Sequence, residues 1–371
     1  SGPPHIPLRR NTGNQDHNSP IIRDIALQSR EVAVPHAADG VLVVGTGSWG
    51  TALAIAIARS LPVTLLCRTP AERDTMQESR RNERFLPAVA FPAGLELEYD
   101  VERGCASATT VVLVVPTSRM RENARLLAPH IRADHVVLSG AKGFEGGSLL
   151  RMTEVLIQEL SQARPSIGAL SGPNLAREVA AGKPATAVVA SASPAALAVA
   201  LGALNTPLFR VYANPDVLGV ELGGALKNII AIGAGAGDGL DAGENAKAAF
   251  VTRGLAEISR LGVALGAQPV TFAGLAGLGD LLATVSSSNS RNHFVGAQLA
   301  HGRSIEDIQA ALAPQVAEGI ATTLSARALA QMHGVEMPIT EQSYQVLYEN
   351  KNIATALADL MYRDPRYEND R

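Results

Sequence analysis

A glycine-rich turn near residue 45 constrains the fold of this chain more than any other sequence feature. The apolar residues 41–44 precede Gly45, Gly47 and Gly50, and an alanine-rich helical pattern follows. A continuous apolar run is typical of a strand that is buried on both faces. The first glycine permits a tight turn, the second lets a pyrophosphate reach the backbone, and the third lets the helix pack on the strand. The segment therefore predicts a dinucleotide site.

Strand-like and helical segments alternate along the first part of the chain. The further apolar runs that indicate strands are residues 63–67, 111–115, 136–138, 167–170, 188–190 and 209–212. We expect the last two runs to lie at the edge of the sheet. The alternation predicts an α/β fold with an N-terminal Rossmann-type, doubly wound parallel sheet. Apolar residues then recur at helical spacing, which predicts an all-α C-terminal domain.

The change of pattern divides the chain into three parts. We expect a flexible extension at residues 1–38, a dinucleotide-binding Rossmann domain at 39–220 and a helical domain for substrate and catalysis at 221–371. The extension lacks the apolar segment of a signal peptide. Residues 186–204 carry no charge, but Pro194 after a serine indicates a strand and a capped helix instead of a membrane span.

Composition limits the partners that we expect. The net charge is −3, so neither nucleic acid nor a stable membrane association is predicted. Two cysteines, Cys67 and Cys105, cannot form a disulfide framework, which agrees with a reduced, cytoplasmic protein. The scattered histidines show no metal-ligand spacing, so we expect no metal site. The alanine- and glycine-rich helical surfaces suggest a homodimer.

The end of the second predicted strand bears on the choice of cofactor. Sites that select NAD usually carry Asp or Glu there to bind the ribose hydroxyls, whereas this chain has Arg68. Its guanidinium could face a 2′-phosphate, so we predict NADP as the preferred cofactor and NAD as the alternative. The other interpretation is a solvated surface arginine.

The glycine-rich turn belongs to a longer pattern that is much more specific than three glycines. Residues 45–54 read Gly-Thr-Gly-Ser-Trp-Gly-Thr-Ala-Leu-Ala. In this segment the sequence resembles the soluble, bacterial-type NAD(P)-dependent sn-glycerol-3-phosphate dehydrogenases. The other segments that resemble the family, in chain order, are residues 82–87, 141–143, 171–176, 224–228, 233–239, 277–281, 289–292, 316–319 and 337–340. The resemblance covers about residues 40–355.

The resemblance implies an oxidoreductase that interconverts sn-glycerol 3-phosphate and dihydroxyacetone phosphate and supplies phospholipid synthesis. The small phosphorylated substrate would be its partner. The family's cofactor contacts carry over onto Gly45, Gly47, Ser48, Trp49, Gly50, Arg68, Lys142, Ala176, Arg291, Val316 and Glu318. Its substrate contacts carry over onto Lys142, Gly172, Asn174, Lys227, Asp280, Ser290, Arg291 and Asn292.

Three residues are expected to carry the catalysis: Lys227, Lys142 and Asp280. Lys227 precedes the apolar run 229–231, which is an unusual place for a charge without a function. A free lysine has a pKa of about 10.4, and burial or a neighbouring cation lowers it. Lys227 would then act as the base, and by resemblance Lys142 would be the second cation. Asp280 would orient Lys227 or bind the substrate hydroxyls.

Several of these residues, and the reaction itself, allow a second interpretation. Ser290, Arg291 and Asn292 offer a hydroxyl, a guanidinium and an amide to a phosphate, but they could also form a plain helix cap. Glu318 could likewise only cap a helix, and Asn174 stands where the family usually has Thr or Ser. The chain could oxidise another small hydroxy acid or polyol. It could also bind the cofactor without turnover, although both lysines argue against this.

Overall fold

The first part of the described chain alternates strands with helices. The structure is a computed structural model that describes residues 40–287, 289–364 and 367, so the predicted extension at residues 1–38 lies outside the described residues. The strands are β1 (Val41–Val44), β2 (Val63–Leu66), β3 (Arg81–Asn82), β4 (Leu86–Ala90), β5 (Leu95–Glu98), β6 (Thr110–Leu113), β7 (Val136–Ser139), β8 (Ser166–Ser171), β9 (Ala185–Ser191) and β10 (Phe209–Asn214). The helices between them are α1 (Ser48–Ala58), α2 (Pro70–Ser79), α3 (Val101–Ala106), α4 (Met120–Leu127), α5 (Met152–Glu159), α6 (Ala176–Ala180) and α7 (Pro194–Leu204).

Eight of these strands form one sheet in the order β10-β9-β8-β7-β6-β1-β2-β5. Neighbouring strands are parallel except β8 and β9, which are antiparallel. The Rossmann-type prediction is confirmed. The expectation for β9 was wrong, because β9 lies between β8 and β10, and β10 alone forms that edge. The opposite edge is β5, whose alternating Leu-Glu-Leu-Glu sequence did not resemble a buried run.

Both faces of the sheet are covered, as β1 illustrates. Val41 and Val43 pack with residues of α1 and α7 on one face, whereas Leu42 and Val44 pack with residues of α3, α4 and α5 on the other. Alternation of side chains across a strand therefore explains why this parallel strand is apolar throughout. Because helices cover the faces, the loops at the carboxyl ends of the strands remain to form a site.

The uncharged stretch at residues 186–204 is a strand followed by a helix, as the sequence predicted. It forms most of β9 and all of α7. Ser193 is the N-cap of α7, and its Oγ accepts a hydrogen bond of 3.2 Å from the backbone N–H of Ala196. Pro194 occupies the first helical position, where its missing N–H costs no hydrogen bond.

From residue 217 onwards the described chain is helical. The helices are α8 (Val217–Gly239), α9 (Glu244–Ala264), α10 (Pro269–Phe272), α11 (Asp280–Val285), α12 (Arg291–Ala300), α13 (Ile305–Leu312), α14 (Glu318–His333), α15 (Pro338–Tyr348) and α16 (Ile353–Met361). Helix α8 is central, with α9, α11, α12 and α14 packed around it. Among the described residues it is the one helix long and apolar enough to cross a membrane, and 83% of its most apolar window is buried in the protein.

Candidate functional site

The glycine-rich loop lies at the carboxyl end of β1 and opens α1. Gly45 has φ = +118°, a conformation that favours glycine, and a Cβ on Gly50 would lie 2.1 Å from the carbonyl oxygen of Gly45. A Cβ on Gly47, by contrast, would meet no protein atom within 4 Å. Protein packing therefore explains Gly45 and Gly50. Gly47 leaves the backbone open to a ligand.

The N-terminal turn of α1 can bind an anion. Its N-cap, Gly47, offers no side-chain hydrogen bond to the helix, so Ser48 and the next residues present backbone N–H groups and the positive end of the helix dipole. Trp49 is half-buried, and its ring centroid lies 6.2 Å from that of Phe209. The tryptophan thereby ties the first turn of α1 to the core of the sheet.

Two lysines from different parts of the chain meet at one carboxylate. Lys227 of α8 donates to Oδ1 of Asp280, and Lys142, in the loop after β7, donates to Oδ2, both at 2.5 Å. Lys142 also donates to the carbonyl oxygen of Gly172 at 3.0 Å. The side chains of Lys227 and Asp280 are 8% and 3% exposed, so this cluster is buried apart from the partly accessible Lys142.

The surroundings of Lys227 change its acidity. Burial lowers its pKa to about 8; Asp280 opposes this shift, and the positive charges of Lys142 and Arg291 add to it. Lys227 also donates a hydrogen bond to Oγ1 of Thr284. An amine with this pKa is present in both protonation states near neutral pH, which suits it to giving and taking a proton.

The three consecutive polar residues at 290–292 lie where α12 begins. Ser290 is the N-cap and accepts a hydrogen bond of 3.2 Å from the N–H of His293, while its own O–H remains able to donate. Arg291 is exposed, and its charge acts on Lys227 and Glu318; desolvation lowers its pKa, and Glu318 opposes that shift. Asn292 donates to Oδ1 of Asn228 at 2.9 Å and accepts from the N–H of Gly319 at 3.0 Å. The helix start and the guanidinium together can bind an anion.

Glu318 connects the sheet to the helices. Thr117, in the loop after β6, donates its hydroxyl to Glu318 at 2.9 Å. Burial raises the pKa of Glu318, and Thr117 and Arg291 oppose that shift. Glu318 is the first residue of α14, whose N-cap is Ala317; the start of α14 has no side-chain cap, and the carboxylate of Glu318 accepts instead from Thr117. Val316 precedes it and is 49% exposed.

The loop after β8 leaves polar atoms without protein partners. Asn174 donates through Nδ2 to the carbonyl oxygen of Thr186 at 2.8 Å, but its Oδ1 is buried and accepts no hydrogen bond from the described residues. The hydroxyl of Ser171 is also buried and has no hydrogen-bond partner in the described part of the chain. Gly172, between them, has φ = +129°, and Ala176 begins α6 and packs against the core of the sheet. Because buried polar atoms are rarely left unpaired, this loop fits contact with a ligand.

Arg68 lies apart from the lysine cluster. Its side chain is 76% exposed, and its Nε lies 4.0 Å from Oε2 of Glu72 in the first turn of α2. The exposed position agrees with either interpretation of this arginine. Glu72 was not among the predicted site residues.

Three further residues contact the predicted ones: Thr284, Asn228 and Thr117. Thr284 stands four positions after Asp280 on α11, so helical periodicity could have placed both on the same face. Asn228 follows Lys227 directly in the segment that resembles the family. Thr117 carried no signal of its own, because only the fold brings it to a glutamate 201 positions away.

The residues present fit a bound nicotinamide dinucleotide. The open backbone at Gly47, the uncapped start of α1 and the unpaired Oδ1 of Asn174 are features that such a ligand would use. Within the described parts of the chain, no group of three His, Cys, Asp or Glu side chains is arranged to hold a metal ion.

Comparison with known proteins identifies the family of this chain. Residues 40–197 and 216–358 match the models of the NAD-dependent glycerol-3-phosphate dehydrogenase N-terminus and C-terminus, respectively. The chain is 44% identical over 332 residues to a relative from Chlorobium luteolum named glycerol-3-phosphate dehydrogenase [NAD(P)+], covering 89% of this chain and 99% of the relative. A relative of the same name from Edwardsiella ictaluri is 46% identical over 331 residues, covering 89% and 97%.

A solved structure agrees with the sequence comparisons. The crystal structure of glycerol-3-phosphate dehydrogenase from Coxiella burnetii superposes with a TM-score of 0.82 at 37% identity, covering 88% of this chain and 99% of that one. Sequence and fold are therefore similar along nearly the whole length of these relatives. The chain belongs to the NAD-dependent glycerol-3-phosphate dehydrogenase family.

Proposed function

We propose that this chain interconverts sn-glycerol 3-phosphate and dihydroxyacetone phosphate with a nicotinamide dinucleotide, and that Lys227 moves the proton. The observation that carries the proposal is the buried cluster in which Lys227 and Lys142 both contact Asp280 at 2.5 Å. The names of the relatives support the substrate, and the same resemblance supports a role in supplying glycerol 3-phosphate for phospholipids.

In this mechanism Lys227 transfers the proton, and Lys142 stabilises the negative charge that develops on the substrate oxygen. A bound nicotinamide would give the hydride in one direction and accept it in the other. In reduction, the ammonium of Lys227 donates a proton to the oxygen that becomes a hydroxyl, and the charge of Lys142 stabilises the negative charge developing there. In oxidation, neutral Lys227 takes the hydroxyl proton. Asp280 holds both amines in place through its two oxygens.

The start of α12 would hold the substrate phosphate. Arg291 would supply a permanent positive charge, and the first N–H groups of the helix would add the positive end of its dipole. Ser290 can donate its hydroxyl, and Asn292 keeps one amide proton free after its bond to Asn228. Gly172 and Asn174 would line the substrate side of the same site.

Other residues would hold the cofactor. We assign its pyrophosphate to the loop of Gly45, Gly47 and Gly50 with Ser48 and Trp49. Lys142, Ala176, Arg291, Val316 and Glu318 would complete the remaining contacts.

Arg68 would favour NADP over NAD by pairing with the 2′-phosphate. Replacing Arg68 by Asp should then raise the Michaelis constant for NADPH far more than that for NADH. Steady-state kinetics with each cofactor measures both constants. An equal effect on the two would refute this role for Arg68.

We further propose the domain boundaries, the oligomeric state and the cellular location of the protein. The cofactor domain would occupy residues 39–220 and the helical domain 221–371, since the last strand of the sheet ends at Asn214 and α8 begins at Val217. A cytoplasmic homodimer is the proposed form. Light scattering of the purified protein measures its mass in solution, and a mass of one chain would contradict the dimer.

The decisive test follows the loss of NADPH and NADH absorbance with dihydroxyacetone phosphate. We expect turnover in the wild-type protein and a loss of at least about 100-fold in Lys227→Ala, the usual range for removing an acid–base group. Lys351→Ala is the matched control, because Lys351 lies between α15 and α16, pairs with Asp359 and is not among the proposed site residues, so this variant should keep full activity.

A panel of substrates separates the proposal from the other dehydrogenase reactions. Unphosphorylated dihydroxyacetone and small 2-keto acids lack the group that Arg291 would bind, so they should react poorly. Turnover of a keto acid in preference to the phosphorylated substrate would contradict the substrate assignment. Cofactor binding without any turnover would leave only the cofactor-binding function.

A further inference from the structure

A carboxylate lies beside the glycine-rich loop, where the second strand of the sheet ends. It belongs to Glu72, the third residue of α2. We propose that Glu72 is a determinant of cofactor selectivity, binding the ribose hydroxyls of NAD(H) and opposing the 2′-phosphate of NADP(H), so that the chain can use both. This inference rests on the proposed dehydrogenase function and deepens its cofactor site.

Glu72 is held by the two segments that border the adenosine end of a Rossmann site. The hydroxyl of Thr46, inside the glycine-rich loop, donates to Oε1 at 2.8 Å. The backbone N–H of Arg68, just beyond β2, donates to Oε2 at 2.8 Å. Each carboxylate oxygen thus takes one described protein hydrogen bond and keeps lone pairs for a further donor. A ribose diol offers two hydroxyl donors of this kind.

The start of α2 explains how Glu72 reaches this place. Thr69 is the N-cap and accepts a hydrogen bond of 3.1 Å from the backbone N–H of Glu72. The glutamate side chain then turns back past the cap to the N–H of Arg68. The acid that NAD-selective sites usually carry at the end of the second strand is therefore supplied here from the following helix.

The side chains of Glu72 and Arg68 carry opposite charges and differ in their exposure to solvent. Glu72 is 23% exposed and fixed by two hydrogen bonds, whereas Arg68 is 76% exposed. The Nε of Arg68 lies 4.0 Å from Oε2 of Glu72, so the carboxylate partly neutralises the guanidinium. Attraction of a 2′-phosphate by Arg68 would be offset by repulsion from Glu72, and each effect is screened by solvent.

The test measures cofactor binding without substrate. Trp49 is the only tryptophan of the chain and lies in the dinucleotide loop, so its fluorescence reports binding directly. For Glu72→Gln we expect the ratio of the NADH to the NADPH dissociation constant to rise about fivefold, the size of a solvent-screened charge interaction. The amide is nearly isosteric and can still accept the bond from Thr46.

Thr46→Val is the matched control. It removes the other half of the same contact but leaves the charge of Glu72 in place. We expect both dissociation constants to change by the same factor, so their ratio stays at the wild-type value. A ratio change in this variant as large as that in Glu72→Gln would show that loop anchoring, and not the carboxylate, sets selectivity.

The remaining outcomes also decide the question. A Glu72→Gln protein whose two dissociation constants are unchanged, or shift by one common factor, would overturn the proposal. Because the fluorescence titration needs no turnover, its result stands apart from the assay with dihydroxyacetone phosphate. Absence of turnover with a shifted binding ratio would refute the substrate assignment and retain the role of Glu72.

Discussion

At the scale of single residues, the acidity of Lys227, the proposed proton donor, should set the pH dependence of the reaction in each direction. Its pKa of about 8 follows from burial and from the nearby cations, against the opposing effect of Asp280. Reduction needs the protonated amine, so its rate should be constant below about pH 8 and fall above it. Oxidation needs the neutral amine, so its rate should rise through the same range. Measuring kcat against pH in both directions checks this.

A pair of variants identifies the titrating group. In Asp280→Asn the carboxylate that raises the pKa of Lys227 is lost, so the falling limb of the reduction profile should move to lower pH. Thr284→Val removes a hydrogen bond to Lys227 but no charge, and its limb should stay in place although kcat falls. Profiles that coincide in all three proteins would show that another group titrates.

At the scale of elements, α8 and α12 cross at very short range. A Cβ on Gly296 would lie 1.8 Å from the carbonyl oxygen of Ile232, and one on Gly235 would lie 2.0 Å from that of His293. Two backbones can approach so closely only where neither helix carries a side chain. The crossing brings the start of α12 to the same helix that carries Lys227.

Gly296→Ala should therefore destabilise the protein. The methyl group would meet backbone, which cannot move aside cheaply, and overpacking of this kind costs about 1–3 kcal/mol in the free energy of unfolding. Gly237→Ala in α8 is the control, because a Cβ there meets nothing within 4 Å and alanine favours the helix by about 1 kcal/mol. Urea denaturation compares the two. Equal free energies of unfolding for Gly296→Ala and Gly237→Ala would contradict the close contact between α8 and α12.

At the scale of the whole molecule, buried polar contacts join the sheet to the helical part. Glu221, the fifth residue of α8, accepts hydrogen bonds from Arg151 at 2.6 Å and from the N–H of Thr153 at 2.9 Å. Thr117 and Glu318 form the second such contact, beside the site. These contacts join the part of the chain that carries Lys142 to the helices that carry Lys227 and Glu318.

Arg151→Met should weaken this junction in a pH-dependent way. Burial raises the pKa of Glu221 and Arg151 opposes that shift, so without the arginine the ionised carboxylate is disfavoured further in the folded state. We expect a loss of about 3 kcal/mol at pH 7, the usual cost of unpairing a buried charge. The loss should shrink at lower pH, where protonation of Glu221 removes the charge and restores stability.

The double variant Arg151→Met/Glu221→Gln tests the assignment. Without the carboxylate there is no unpaired charge, so most of the stability at pH 7 should return. The free energy of unfolding, measured in urea at pH 5 and pH 7 for both proteins, gives the comparison. A single variant that loses the same stability at both pH values would rule out Glu221 as the cause.

The sequence by itself determined the fold and indicated which residues could form the proposed site. Apolar runs are visible where a strand is buried on both faces, so β1 and its parallel neighbours were predictable from local pattern. The glycine-rich turn was equally visible, because it follows an apolar run and opens a helical pattern. Lys227 was visible because a charge is unusual beside an apolar helical run. Strands with alternating or short patterns, such as β5, gave no such signal.

Only the tertiary structure decided which of these residues meet. The contact of Lys142 with Asp280 spans 138 positions, and that of Thr117 with Glu318 spans 201. Such pairs depend on how loops at the carboxyl ends of strands face the helices, and local periodicity does not encode that arrangement. The same holds for Glu72, whose carboxylate turns back from α2 to the end of β2. Local pattern is set by neighbours in sequence, whereas acidity and partners are set by neighbours in space.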